Sequence, residues 1–341
     1  MTNAIAELQL AWEGQLNDFV TGLAYSPNGD GWAASSAAGE VIWVTTGNEP
    51  VVLQAANGQS IAGIAFSADG RWLAAGGQAG RLLIWNFEDA HSPPQLVDIG
   101  VEQWIEHLVW HPTKPELAIS YGSQVQIWDA LTSTELVTWK FPNSVFDLAW
   151  HPGGAVAVAG YKGVHIWSPQ DRTAPNYHLE VDTATIGIAW SRDGRYLAAG
   201  NLDRTLTIVD WHHPDDPWTL QGCPGKVRQL SWLAGTTTPC LAVASGTAIV
   251  LWNLDSDATM WDGQLLEGHQ DIVAALTAHP QEPIWASGGA DGYTCQWSAQ
   301  GLEQILNQSL SKITALAWHP QHLYLVTGSQ TGTIQLWVIP A

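Results

Sequence analysis

Cations are scarce in this chain of 341 residues: Lys and Arg together number 12 against 32 Asp and Glu, a formal charge of -20. A phosphate backbone and an anionic membrane leaflet both require a positive footprint, and no basic run supplies one. Nucleic acid is therefore excluded as an expected partner, and protein partners are expected to be neutral or basic. Cysteine is equally sparse. Cys223, Cys240 and Cys295 are odd in number and form no CxxC pair, so neither a disulfide framework nor a zinc ribbon is expected, and a reducing, cytoplasmic setting fits best. No run of about 18 apolar residues exists to cross a membrane, and the N-terminal "MTNAIAELQLAWEG" lacks the cationic start and sustained apolar core of a signal peptide. No segment shows an apolar face at helical spacing, and charged residues make up only 13%. Missing too are a phosphate-binding G-x-x-x-x-G-K-[ST], a helix-opening G-x-G-x-x-G, an H-E-x-x-H, an EF-hand loop and a G-x-S-x-G elbow. No cofactor and no enzymatic activity are expected.

What is abundant is Gly (33), Pro (18) and Trp (21), a mixture suited to short strands joined by tight turns. These residues recur with a period of roughly 42. Each unit opens on an apolar run: "VTGLAYSPNG" from Val20, "IAGIAFSADG" from Ile61, "IEHLVWHP" from Ile105, "VFDLAWHPGG" from Val145, "TIGIAWSRDG" from Thr185, "VRQLSWLAG" from Val227, "IVAALTAHP" from Ile272 and "ITALAWHP" from Ile313. A second run rich in Ala, Val and Ser follows, and a third ends at Trp43, Trp85, Trp128, Trp167, Val209, Trp252, Trp297 or Trp337. A more variable fourth run precedes the next unit, as in "PVVLQAA" from Pro50 or "GQLLEGH" from Gly263. The last unit stops after its third run, and residues 4 to 12 resemble the missing fourth. The expectation is one all-β domain over residues 1-341: a closed propeller of eight four-stranded blades, with the N-terminal strand completing the last. Seven blades plus a detached unit is the fallback, because Gly222 to Leu254 is weakly patterned.

With "WD" at Trp128-Asp129, "WN" at Trp85-Asn86 and Trp252-Asn253, and "SPNG", "SADG" and "SRDG" at the first turns, the chain resembles the WD40-repeat proteins over nearly its full length. The best single repeat is "GHQDIVAALTAHPQEPIWASGGADGYTCQW", Gly268 to Trp297. The resemblance implies that His269, Ser287, Asp291 and Trp297 form the family's structural hydrogen-bond tetrad. It also implies a non-catalytic scaffold for protein-protein interaction.

Two polar patterns compete with that reading. The histidines of "L(A/V)WHP", His111, His151 and His319, share a register with His279 and with Ser26, Ser67 and Ser191. A turn residue able to exchange hydrogen bonds explains both types, whereas a shared metal would need ligands converging at about 2 Å. The cluster "DWHHPDDP" is the less periodic one. His212, His213, Asp215 and Asp216 are metal-competent types, and with the central channel they define the alternative: an accessory protein for a metal or small ligand. For protein partners, the indoles outside the core register are the candidates, since Trp dominates interface hot spots. Trp12, Trp139, Trp211 and Trp261 are such indoles. Trp104, rimmed by Glu102 and Glu106, is the preferred anchor, with Trp218 the next.

Overall fold

The computed structural model describes residues 7–45, 47–87, 95–98, 103–168, 173–309 and 311–340, with the backbone alone at 95–98 and 308. Among them every regular element is a β-strand. The strands are short because turn residues punctuate them. In "SADG" the Ser67 hydroxyl donates to Asp69 at 2.6 Å, Asp69 accepts the Arg71 N–H at 3.1 Å, and Gly70 takes φ +70°. Only glycine adopts that φ without cost, so the turn is written into the sequence. Ser191, Asp193 and Gly194 repeat it.

The hydrogen-bonded sheets number seven among the described residues, six of four strands and one of six. The expected closed ring of eight separate four-stranded blades is thus corrected to a propeller of seven open sheets. Each sheet keeps a free inner and a free outer edge. The reason lies in Tyr177–Trp190, one strand of 14 residues. Its first half pairs with the preceding unit (Val164↔Leu179) and its second half with the following one (Ile188↔Ala199), so the fourth and fifth units share one ladder. At three other connections Asn57-Gly58, Pro142-Asn143 and Pro224-Gly225 break the chain between fourth and first runs; in "YHLEVDTATIGIAW" no breaker precedes Gly187. At the termini, Gln9–Gln15 lies antiparallel to Thr333–Val338, so residues 9 to 12 of the expected segment pair with the last unit, and residues 4 to 6 lie outside the described residues.

Second strands are buried along their whole length, as in Gly31–Ser36, Trp72–Gly77, Tyr196–Asn201, Cys240–Ser245 and Ile284–Gly289. They lie between two strands of their own sheet and between two neighbouring sheets, which is why they read as unbroken small apolar runs rather than alternating ones. The sheets approach closely at the inner strands: a Cβ on Gly187 would stand 2.3 Å from the Arg228 carbonyl oxygen of the next unit.

Inner strands have one edge without a ladder partner, and side chains from the next unit serve that edge. The indole Nε1 of Trp110 donates to the Ala65 carbonyl at 2.9 Å, Trp150 to Val109 at 3.0 Å, Trp232 to Ala189 at 3.0 Å and Trp318 to Thr277 at 3.1 Å. The Trp of "LAWHP" is therefore a staple between consecutive units, as well as a core side chain. Replacing Trp110 by Phe keeps most of the packing and removes one staple. Urea unfolding is expected to show a loss of about 1 kcal/mol, the net worth of one such bond; an unchanged midpoint would rule out a contribution from the staple.

Candidate functional site

Ser287, on a second strand, and Trp297, opposite Trp285 on a third, meet His269 and Asp291 in one hydrogen-bonded set. Trp297 Nε1 donates to Ser287 Oγ at 2.7 Å, Ser287 Oγ lies 2.7 Å from His269 Nε2, and His269 Nδ1 lies 3.1 Å from Asp291 Oδ2. The partners assign the tautomer: the serine hydroxyl donates to Nε2, and Nδ1–H donates to the carboxylate. Burial pushes the Asp291 carboxyl up, but the N–H groups of Tyr293 and Gln270 together with His269 outweigh it and hold the group below the usual carboxylate range. The order Ser-His-Asp resembles a nucleophilic triad, yet Ser287 is 0% exposed and its oxygen already accepts an indole N–H. No substrate carbonyl reaches it, so the set works as a clamp on sheet register.

Other units carry parts of this arrangement. Trp337 donates to Thr327 Oγ1 at 3.3 Å, and Gln15 holds the place of His269 by bonding the Thr331 carbonyl and the Thr333 hydroxyl. In the second unit Ala75 occupies the Ser287 register, and the Trp85 indole N–H is buried without a partner. Ser287→Ala is expected to cost about 2 kcal/mol by leaving buried groups unpaired, while Ala75→Ser is expected to gain about 1 kcal/mol by supplying the missing acceptor. Paired urea titrations check both signs.

The "WHP" histidines are turn residues. His319 Nδ1 accepts the N–H groups of Gln321 and His322, each at 3.0 Å, and Nε2–H donates to the Gly29 carbonyl at 3.1 Å. His279 does the same with Gln281, Glu282 and the His322 carbonyl, and His151 with Gly153 and the Gly194 carbonyl. Each ring thus closes its own turn and grips the corresponding turn of the next unit. Burial holds the His279 and His319 imidazoles below the ordinary histidine value. A proton on Nδ1 would also displace two backbone donors. The stability from a depressed histidine is complete above about pH 6.5, the unfolded value, and is lost as pH falls through the folded one. His319→Asn keeps an acceptor for its own turn but cannot gain that proton. The stability gap between the protein and this variant, from urea midpoints, should be largest at pH 7.5 and narrow toward pH 5.

His212, His213, Asp215 and Asp216 are exposed on a turn organised from beneath. Arg195 pairs with Asp210 at 2.9 Å, and Asp210 accepts the His212 N–H at 3.0 Å. Among the described residues no group of three or more His, Cys, Asp or Glu converges on a point where a metal could sit. Cys223, the ligand type nearest in sequence, is buried in the core shared by the fifth and sixth units. Cys240 and Cys295 are buried free thiols, pushed up to about 12 by burial.

Toward the axis, His107 Nδ1 stands 3.9 Å from Asp147 Oδ1, and Asp147 Oδ2 accepts the Ile188 N–H at 2.8 Å. Burial moves Asp147 up to about 6 and His107 down to about 4. This pair, which links inner strands of three units, carried no periodic sequence signal beyond polar residues at a position where five other units have Gly or Ala and the sixth has Gln229.

The anchor candidates separate by exposure. Trp104 is 49% exposed, three residues before the inner strand His107–Trp110, and Glu106 close to it is also exposed. Glu102 lies outside the described residues. Trp218 is half-buried and meets Trp261 edge-on at 6.4 Å. Trp12, Trp139, Trp211 and Trp261 pack on Trp32, Trp167, Trp190 and Tyr196. Exposed apolar side chains that the sequence reasoning did not single out share the Trp104 end of the strands: Phe146 on the next inner strand, Tyr161 within the strand Val156–Trp167, and Leu202 at the turn after the second strand of the fifth unit. Position in the repeat was the available signal, because at Ile105 and Val145 the residues flanking the buried first position face solvent.

Seven packed sheets with inner strands around one axis define a β-propeller. The model of the "WD domain, G-beta repeat" matches residues 48–86, 175–210, 263–298 and 302–338; the chain is a WD40-repeat protein. It is 27% identical over 192 residues to an uncharacterised WD repeat-containing protein of Schizosaccharomyces pombe, covering 53% of this chain and 35% of the relative. To the pre-mRNA-processing factor 19 homolog 2 of Arabidopsis thaliana it is 28% identical over 145 residues, 41% of this chain and 27% of the relative. Against the B-type cell cycle switch protein ccs52A of Medicago truncatula it is 23% identical over 266 residues, 74% and 54%. The chain thus spans 27% to 54% of these relatives' own length. No helix among the described residues is long and apolar enough to cross a membrane.

Proposed function

We propose that this chain is a non-catalytic scaffold, one propeller domain over its 341 residues that presents the Trp104 end of its inner strands to a protein partner. The observation that carries the reading is the contrast among the indoles outside the core register: four pack against other aromatic rings, Trp218 is half-buried, and Trp104 stands 49% exposed just before the inner strand His107–Trp110. Trp104, Phe146, Tyr161 and Leu202 offer apolar and aromatic contact area, and Glu106 gives it an acidic rim. A hot spot needs this combination of a large apolar body and a polar margin. The charge of -20 favours a neutral or basic protein over nucleic acid. Three buried free thiols support a cytoplasmic setting.

Trp104→Ala removes the anchor from an exposed position, so thermal stability should stay within about 0.5 kcal/mol. Capture of specific partners from native extract, quantified by titration, should weaken by about 30-fold, equivalent to about 2 kcal/mol for one hot spot. Full retention of every specific partner would remove this end of the propeller as the proposed surface.

A further inference from the structure

Seven of the eight inner strands end on an aromatic side chain: Tyr25, Phe66, Trp110, Trp150, Trp190, Trp232 and Trp318. The eighth ends on Ala278, at the same register position, one residue before the turn histidine His279. The missing ring leaves space. A groove of about 440 Å³ opens there, lined by Trp190, Leu230, Ser231, Trp232, Ala278 and Pro280. Its size falls in the range of about 300–1,000 Å³ found for ligand pockets. The turn of the sixth unit, which could have covered it, carries Leu233-Ala234-Gly235 in place of a Ser or His turn, and Arg192 Nη1 reaches over to the Pro280 carbonyl of the seventh.

The lining fits an indole in particular. Four inner-strand tryptophans place their N–H on the carbonyl of the residue one unit back and one position earlier: Ala65, Val109, Ala189 and Thr277. For Ala278 the corresponding residue is Ser231. Its hydroxyl accepts the Ala278 N–H at 2.8 Å, so the backbones stay linked although the staple is absent. The walls of the groove combine the Trp190 and Trp232 side chains with the smaller Ser231, Ala278 and Pro280.

We propose that this groove receives the indole of a tryptophan from a partner protein, completing the aromatic series at Ala278. It lies at the ends of the inner strands, opposite the Trp104 rim at their starts, and it goes beyond the scaffold reading by adding a second surface with its own ligand chemistry.

5-Fluoroindole is the probe, followed by ¹⁹F NMR line broadening on the full chain. Broadening with a dissociation constant on the order of 1 mM is expected for so small a ligand. It should vanish in Ala278→Trp, which fills the groove from within, and weaken at least fivefold in Ala278→Leu, the milder variant that keeps the result readable should the first fail to fold. Trp104→Ala should leave it unchanged. No broadening with the unaltered protein, or equal broadening in a folded Ala278 variant, would overturn the proposal. Neither result bears on partner capture through Trp104, which is read separately.

Discussion

Everything in this propeller depends on how the free edge of each inner strand is satisfied. A strand at the edge of a sheet exposes unpaired N–H and C=O groups, and buried ones cost free energy unless something bonds them. Here the answer is the neighbouring unit. Indoles reach back to carbonyls, the Ser231 hydroxyl and the Asp147 carboxylate take N–H groups of Ala278 and Ile188, and the Thr314 hydroxyl donates to the Val20 carbonyl. At the turns, His151, His279 and His319 extend the same linkage by one more bond per unit. Sheets that share no ladder are thus joined by side chains repeating at the unit period, which ties the sequence repeat directly to sheet packing.

This explains why the tetrad can be so incomplete. A full Ser-His-Asp-Trp set is described in the seventh unit alone, while the second leaves the Trp85 N–H unpaired. In a protein that relied on the tetrad to hold each sheet, that erosion would be destabilising throughout. Here the inter-unit staples and wholly buried second strands carry the load. The richness in tryptophan is the compositional trace of that arrangement: the same side chain supplies apolar area and a single donor in a fixed direction.

How far the sequence could be read follows from the same physics. Strand positions, turn types and the structural role of the "WHP" histidines were legible, because each depends on local chemistry that repeats. The number of sheets was not. Counting units assumes a break between the fourth run of one and the first run of the next, and nothing in the apolar pattern reveals that Tyr177–Trp190 passes through without one. The absence of Gly or Pro before Gly187 does not single it out, because Leu302 to Lys312 lacks both and Gly301–Gln308 and Ile313–Trp318 stay separate; the difference lies in the connection, where periodic patterning carries least information. Site residues divided similarly. Trp104 stood out because it departs from the repeat, whereas Trp218, chosen on the same ground, packs partly against Trp261. Departure from register marks a candidate; only exposure decides it.

That distinction gives the two faces of the molecule different physical characters. At the starts of the inner strands the exposed features are large side chains: Trp104 and Phe146, with Phe19 and Ile272 at the register position of Trp104. At their ends the departure is a deletion, Ala278 among seven rings, and the consequence is a concavity rather than a knob. A rigid repeat makes both readable by the same test, because each position has seven counterparts that state what packing alone requires. Where a residue does less for packing than its counterparts do, as Ala278 does, the fold has tolerated a loss of buried area at a site its neighbours fill. The Ser231 to Ala278 bond shows how: the backbone connection survives without the ring, so the opening costs contact area but not strand alignment.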